Sequence, residues 1–274
     1  MNNIIPETKL PNGMKVFCLR KKEVPILYEQ IQEYIKYGIQ LNKDDIIFDV
    51  GANIGLFTLW AYQQCQGNIQ AYAFEPIPNI FKVLEANSQR LNPEKIKVFP
   101  FGLSQESKST TFAYHPYATM LSSVYLEDIS EIKNQLTKSL IKNFKYLPKS
   151  VSWIQWIPSF LRSLLIKYEI EKQFQIQQVT CQLKTVSEII QENNIKQIDL
   201  LKIDVEKSEL DVLLGIEAQD WQKIKQIVVE VHDLQDKLQK IKALLEQNSF
   251  NKIIVEQEPL FNGSNIVNLY AWRQ

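Results

Sequence analysis

The sequence repeatedly sets a short run that is apolar throughout ahead of a stretch with helical spacing. Residues 45–50 (DIIFDV) run into a glycine and then into an apolar-rich stretch, 54–64. Runs 69–74 (IQAYAF) and 96–99 bracket a helical stretch at 79–91. The pattern resumes with 186–193 as helix, 198–203 (IDLLKI) as strand, 210–215 closing a helix, 227–231 (IVVEV) as strand and 234–247 as helix. Strands with no polar face must be covered on both sides, and helical connections leave them parallel, so an α/β fold with a mostly parallel sheet is expected. At the end of the chain 252–256 and 266–272 are separated only by a loop, which predicts an antiparallel hairpin and a sheet mixed at one edge.

Residues 1–43 read as an N-terminal extension: a hairpin around Asn12-Gly13, then an amphipathic helix over 24–37. The main domain is expected over 44–274, interrupted at about 114–178 by a segment that the alternation does not predict. Between residues 132 and 168 there are seven Lys/Arg and no Asp or Glu, together with Phe144, Tyr146, Trp153, Trp156 and Phe160. A basic, aromatic, helical insertion at one place in a regular α/β chain suits a cap facing the substrate. A lid, a docking face for an acidic partner, a membrane-surface helix and a solvated charged face are the four roles open to it.

Composition narrows the rest. The 274 residues carry 31 Lys+Arg and 31 Asp+Glu, so broad electrostatic capture of nucleic acid is not expected. Two His and three dispersed Cys assemble neither a structural zinc site nor a disulfide framework. No apolar run reaches the ~18–20 residues of a membrane span, and the start lacks a signal-peptide core, so the cytoplasm is the expected compartment.

The sharpest local signal is Asp49-Val50-Gly51-Ala52-Asn53-Ile54-Gly55 at the end of the first parallel strand. Gly51 allows a sharp turn and close backbone approach; Gly55 allows tight packing of the next helix. The D-x-G-x-x-x-G spacing lacks the third glycine that a dinucleotide pyrophosphate requires, which disfavours a nicotinamide-dependent oxidoreductase. Glu75 ends the second strand, 24 residues after Gly51, where it can accept from the hydroxyls of a ribose. A tight turn without function and a solvated acid are the plainer alternatives. Two such features at matched strand ends favour a site, because open α/β sheets bind ligands beyond the carboxyl ends of their strands.

DVGANIG, then FEP at 74–76, FGLS at 101–104, LLKIDVEKSELDVLLGI at 200–216 and VVEVHD at 228–233 together resemble the FkbM-type S-adenosylmethionine-dependent methyltransferases, in order and spacing from about residue 44 onward. The resemblance implies a class I methyltransferase (Rossmann-like) fold and methyl transfer, usually to a hydroxyl oxygen of a natural product or sugar. It also implies that Gly51, Ala52, Asn53 and Gly55 line the methionine part of the cofactor and that Glu75 takes the ribose. By the same resemblance Gly102, Leu103 and Ser104 are expected to flank the adenine, and Asp49 and Pro76 to count with the cofactor residues. One departure stands out: many relatives have Gly where this chain has Lys207.

Methyl transfer is an in-line displacement in which the protein aligns the acceptor and removes its proton. Asp204 and Glu206 follow one strand; Glu230, His232 and Asp233 end or follow the next. His232 is the first choice as general base, because imidazole titrates near neutrality, with Asp204 orienting it or contacting the cofactor and Glu230 as buttress. Asp204 also suits a helix N-cap, and His232 a helix-capping or solvent-facing position. Magnesium held by Asp204, Asp233 and Glu230 is a less favoured arrangement. His115 reads as a loop residue and Cys65 as a small core residue, while Ser122-Ser123, in MLSS, resembles a family segment near the cofactor, with a plain turn as the alternative. The expected activity is O-methylation of a small-molecule acceptor, a polyketide- or peptide-type intermediate that an acyl carrier protein could present to the basic insertion. A methyltransferase of sugars and a non-catalytic cofactor-binding module are the alternatives.

Overall fold

The structure, a computed structural model, describes residues 5–117, 119, 157–158, 161, 164–165, 167–168, 171, 175–233, 236–257 and 265–273. Strands β3 (Ile46–Val50), β4 (Gln70–Phe74), β5 (Ile96–Phe99), β9 (Leu200–Ile203), β10 (Gln226–His232), β11 (Lys252–Glu256) and β12 (Ile266–Trp272) form one sheet in the order β11-β12-β10-β9-β3-β4-β5. Pairings from β5 through β10 are parallel, as the apolar runs predicted. The terminal hairpin is present, with a difference in placement. β12 inserts antiparallel between β10 and β11, so β11 forms the edge.

Alternation along each strand divides the core. Ile47, Ala71, Leu200 and Val228 pack with helices α1 (Val24–Glu33), α2 (Leu56–Gln64) and α3 (Pro78–Leu91). Their neighbours Phe48, Tyr72, Leu201 and Val229 pack on the other face with α4 (Val186–Glu192), α5 (Glu209–Leu214) and α6 (Lys237–Gln247). Both sheet faces are therefore dry, which is why the strands have no polar side. Among the buried residues that break this rule are Asp49 and Lys202, side by side in register.

The N-terminal hairpin is β1 (Glu7–Lys9) on β2 (Lys15–Phe17), and α1 lies in the same core cluster as α2 and α3. α1 is shorter than the sequence pattern suggested; Tyr37 already has φ +58, which ends the helical path. A second sheet was not expected from the sequence. β6 (Gly102–Leu103), β7 (Lys108–Tyr114) and β8 (Gln177–Lys184) form it in the order β6-β8-β7. β7 and β8 bury only alternate or terminal residues, so their polar sides hid them in a scan for apolar runs. The last pair of that ladder is Tyr114↔Gln177, so the segment 115–176 leaves and returns at one point. The basic window 132–168 lies outside the described residues except at 157–158, 161, 164–165 and 167–168, and Ser122-Ser123 lies outside them altogether. His115 and Cys65 are both buried.

Candidate active site

The site forms along the carboxyl ends of β4, β3, β9 and β10, where the parallel strands release the chain into turns. A cleft of about 440 Å³ runs there, lined in turn by Glu75, Pro76 and Gly102 to Ser104, then Gly51 and Asn53, then Asp204, Glu230 and His232. Asp49, Ala52 and Gly55 do not line it. Asp49 is fully buried beneath, where it accepts from the Thr58 hydroxyl at 2.6 Å. Gly55 caps α2 with φ +86.

Gly51 makes the sharp turn expected of it, and its missing side chain has a second use. Its φ is +76, and a Cβ there would stand 1.8 Å from the Asp204 carbonyl oxygen. The missing side chain lets the β3 turn abut the end of β9, bringing two binding segments together. Glu75 is buried, and its two carboxylate oxygens accept from the backbone N–H groups of Ile77 at 2.9 Å and Asn53 at 3.1 Å. Burial pushes its pKa up to about 7, against those two hydrogen bonds. A carboxylate offers about four lone-pair directions, so acceptor capacity remains for hydroxyls.

Beneath Asp204 lies a network that sequence reasoning missed. The Lys202 ammonium is 3.0 Å from Asp49 Oδ1 and 3.4 Å from Asp204 Oδ2, and it donates to the Gly51 carbonyl at 3.2 Å. Burial works against its charge, but Asp49 and Asp204 hold the proton on it more firmly than in a free lysine. Tyr34, one residue past α1, donates from its hydroxyl to the same Asp204 Oδ2 at 2.9 Å. Burial first, then Asp204 and Glu230, push that phenol well above its usual range. A lysine inside an otherwise apolar strand was the available signal for the network. Nothing local to Tyr34 announced its role.

His232 corrects an expectation. Its Nδ1 is 2.8 Å from Glu209 Oε1 and its Nε2 is 3.1 Å from Glu206 Oε2, while Lys237 stands 2.8 Å from the other Glu209 oxygen. Burial opposes the imidazolium, but the two carboxylate hydrogen bonds outweigh it and raise the pKa to about 10. The ring is a cation at neutral pH with both nitrogens engaged, so the near-neutral base foreseen from the sequence is not what this position provides. Glu230 is the contrast. It is 7% exposed, lines the cleft and has no hydrogen-bond partner among the described residues. Burial, then Asp204 and Glu206 beside it, raise its pKa well above the carboxylate range.

The magnesium arrangement does not assemble. Asp204 turns to Lys202 and Tyr34, and Asp233 accepts from the Leu238 N–H at 3.0 Å at the start of α6. Among the described residues no group of three His, Cys, Asp or Glu stands ready to hold a metal ion. Lys207 explains the departure noted above: its φ is +74, in the region where glycine is at ease.

Known proteins match this architecture. Residues 49–256 match the methyltransferase FkbM domain. The chain is 34% identical over 276 residues to 31-O-demethyl-FK506 methyltransferase FkbM of Streptomyces tacrolimicus, covering 100% of this chain and 99% of that protein. It is 32% identical over 278 residues to AMB antimetabolite synthetase AmbE of Pseudomonas aeruginosa; the match covers 97% of this chain but 12% of that protein. The crystal structure of methyltransferase FkbM from Methylobacillus flagellatus KT superposes with a TM-score of 0.52 at 13% identity, over 89% of this chain and 50% of that one, a likeness of fold. The chain belongs to the FkbM methyltransferase family, on the class I methyltransferase fold.

Proposed function

We propose that the chain transfers the methyl group of S-adenosylmethionine to a hydroxyl oxygen of a natural-product intermediate. The observation that carries this reading is the order of groups along the cleft: a glycine-lined wall at Gly102, a buried carboxylate at Glu75, the Gly51 turn, then the carboxylates of Asp204, Glu206 and Glu230. That order fits an adenosine at one end and a cation at the other. When bound, the cofactor supplies an electrophilic methyl carbon and a neutral thioether leaving group.

The residues of the chain have distinct tasks in this reading. Glu75 accepts from the ribose hydroxyls while its backbone donors keep it in place. Lys202 and Tyr34 fix one Asp204 oxygen, which leaves the other to face the ligand. Glu230 takes the proton of the acceptor hydroxyl, because it alone of the three sheet-end candidates has no fixed partner among the described residues. His232 holds Glu206 and Glu209 in position. Names of the relatives support the acceptor class: one acts on 31-O-demethyl-FK506, and another is a synthetase of an antimetabolite.

The test is incubation with S-adenosylmethionine and a panel of hydroxylated intermediates, free and carrier-bound, followed by mass and fragment analysis. One added CH₂ unit located on oxygen supports the reading; location on nitrogen or carbon overturns the acceptor assignment. Glu230→Gln should lower kcat by roughly 10²- to 10⁴-fold, the usual share of a general base. A second proposal rests on the seven positive charges of 132–168, which suit an acidic acyl carrier protein. Charge reversal at Lys142, Lys145 and Lys149 should slow turnover of a carrier-bound acceptor and spare the free one.

A further inference from the structure

The charges around the deep end of the cleft do not balance. Lys202 serves Asp49 and Asp204; His232 serves Glu206 and Glu209; Lys237 serves Glu209 again. Glu230 is left with no ion pair and no hydrogen bond among the described residues, although it is nine-tenths buried and faces the cleft. It lies one step beyond the last parallel pair, Val229↔Ile203, and so stands beside Asp204. The charged and titratable groups that face it are Tyr34 from beyond α1, Lys202 and Asp204 from β9 and its end, Glu206 from the following turn, and His232 on its own strand.

We propose that Glu230 is the residue by which the cleft tells the sulfonium of S-adenosylmethionine from the thioether of S-adenosylhomocysteine. This rests on the cofactor reading above. With no ligand, burial and the carboxylates of Asp204 and Glu206 favour the protonated form of Glu230, which has no cation paired to it among the described residues. A sulfonium arriving beside it supplies the missing positive charge, and Glu230 gives up its proton to become the partner of that cation. In the reaction the acceptor O–H bond breaks as the O–CH₃ bond forms. The S–CH₃ bond breaks with its electron pair remaining on sulfur, and the acceptor's proton ends on Glu230. A sulfonium and a carboxylate become a thioether and a carboxylic acid, so charge is conserved. The thioether of the product then faces a neutral Glu230 with no charge attraction between them, which favours release of the product over that of the substrate.

Calorimetric titration of the whole chain with each of the two ligands, in buffers of different ionisation enthalpy near neutral pH, tests this. Both ligands carry the same ribose, so proton exchange at Glu75 cancels in the comparison. S-adenosylmethionine should release more protons than S-adenosylhomocysteine. Glu230→Gln should abolish that difference, weakening S-adenosylmethionine about tenfold and leaving S-adenosylhomocysteine within about twofold, as expected for loss of one partly screened charge pair. Equal proton counts in the wild type overturn the proposal even if the variant fails to fold. So does a Glu230→Gln protein that loses both ligands by the same factor. If the wild type binds neither ligand, the cofactor reading itself fails.

Discussion

The Tyr34 hydroxyl donates to Asp204 Oδ2 at 2.9 Å, joining residues 170 positions apart. Tyr34 lies outside the stretch 49–256 that defines the family domain, so the N-terminal segment supplies part of the site. Leu27 and Gln30 of α1 line the same cleft. Tyr34→Phe removes one hydrogen bond to a charged group while Lys202 remains. The expected loss is about 1–2 kcal/mol in urea denaturation, with a several-fold weaker cofactor affinity and unchanged far-ultraviolet circular dichroism. Equal stability and affinity would show that the bond does not hold Asp204.

Gly51 and Gly55 should differ sharply on substitution by alanine. At Gly51 the new Cβ meets backbone, the Asp204 carbonyl at 1.8 Å; at Gly55 it meets the far end of a side chain, Leu84 Cδ1 at 2.6 Å. Both pay about 1–2 kcal/mol for positive φ, but Leu84 can rotate away and a strand end cannot. Gly51→Ala is expected to lower the melting temperature more and to abolish cofactor binding. Gly55→Ala should retain binding.

Lys207 sits at φ +74, and its neighbour Glu206 at φ +38. Lys207→Gly should therefore stabilise the protein by about 1 kcal/mol, since the native conformation costs glycine no Cβ clash. Chemical denaturation decides the point. A destabilised variant would mean that the greater freedom of glycine in the unfolded chain outweighs the relieved strain.

His232 makes stability depend on alkaline pH. Its folded pKa of about 10 lies above the ~6.5 of a free imidazole, so between those values the folded chain holds a proton that the unfolded chain has lost. This contribution is complete below about pH 6.5 and disappears as pH rises through 10. Urea midpoints should fall across that window, and His232→Gln should flatten the decline while lowering stability at its acid end.

Glu75 governs the opposite limb, in ligand binding. Its pKa of about 7 falls when hydroxyl donors reach the carboxylate, so binding and ionisation reinforce one another. Affinities for S-adenosylmethionine and S-adenosylhomocysteine should both weaken as pH falls below about 7. In Glu75→Gln the affinity should be lower and should lose this dependence.

The sheet and the cleft-lining acid at Glu75 were legible because each is written locally. An apolar run of five residues needs two covered faces wherever it lies, and Glu75 follows its strand directly. The antiparallel pair β7 and β8 was less visible, since its period-two pattern is half polar and the partners are 63 residues apart at Tyr114↔Gln177.

The sequence alone determined the class of fold, the glycine turn after β3 and which strand ends carry acids, because backbone sterics and apolar burial act over a few neighbouring residues. Tertiary structure decided what those acids do. His232 became a fixed cation only through its distances to Glu206 and Glu209, and Glu230 is left unpaired among the described residues because Lys202, His232 and Lys237 are committed elsewhere. The charge state of a buried group depends on desolvation and on partners brought from distant segments, and neither is encoded at the residue itself.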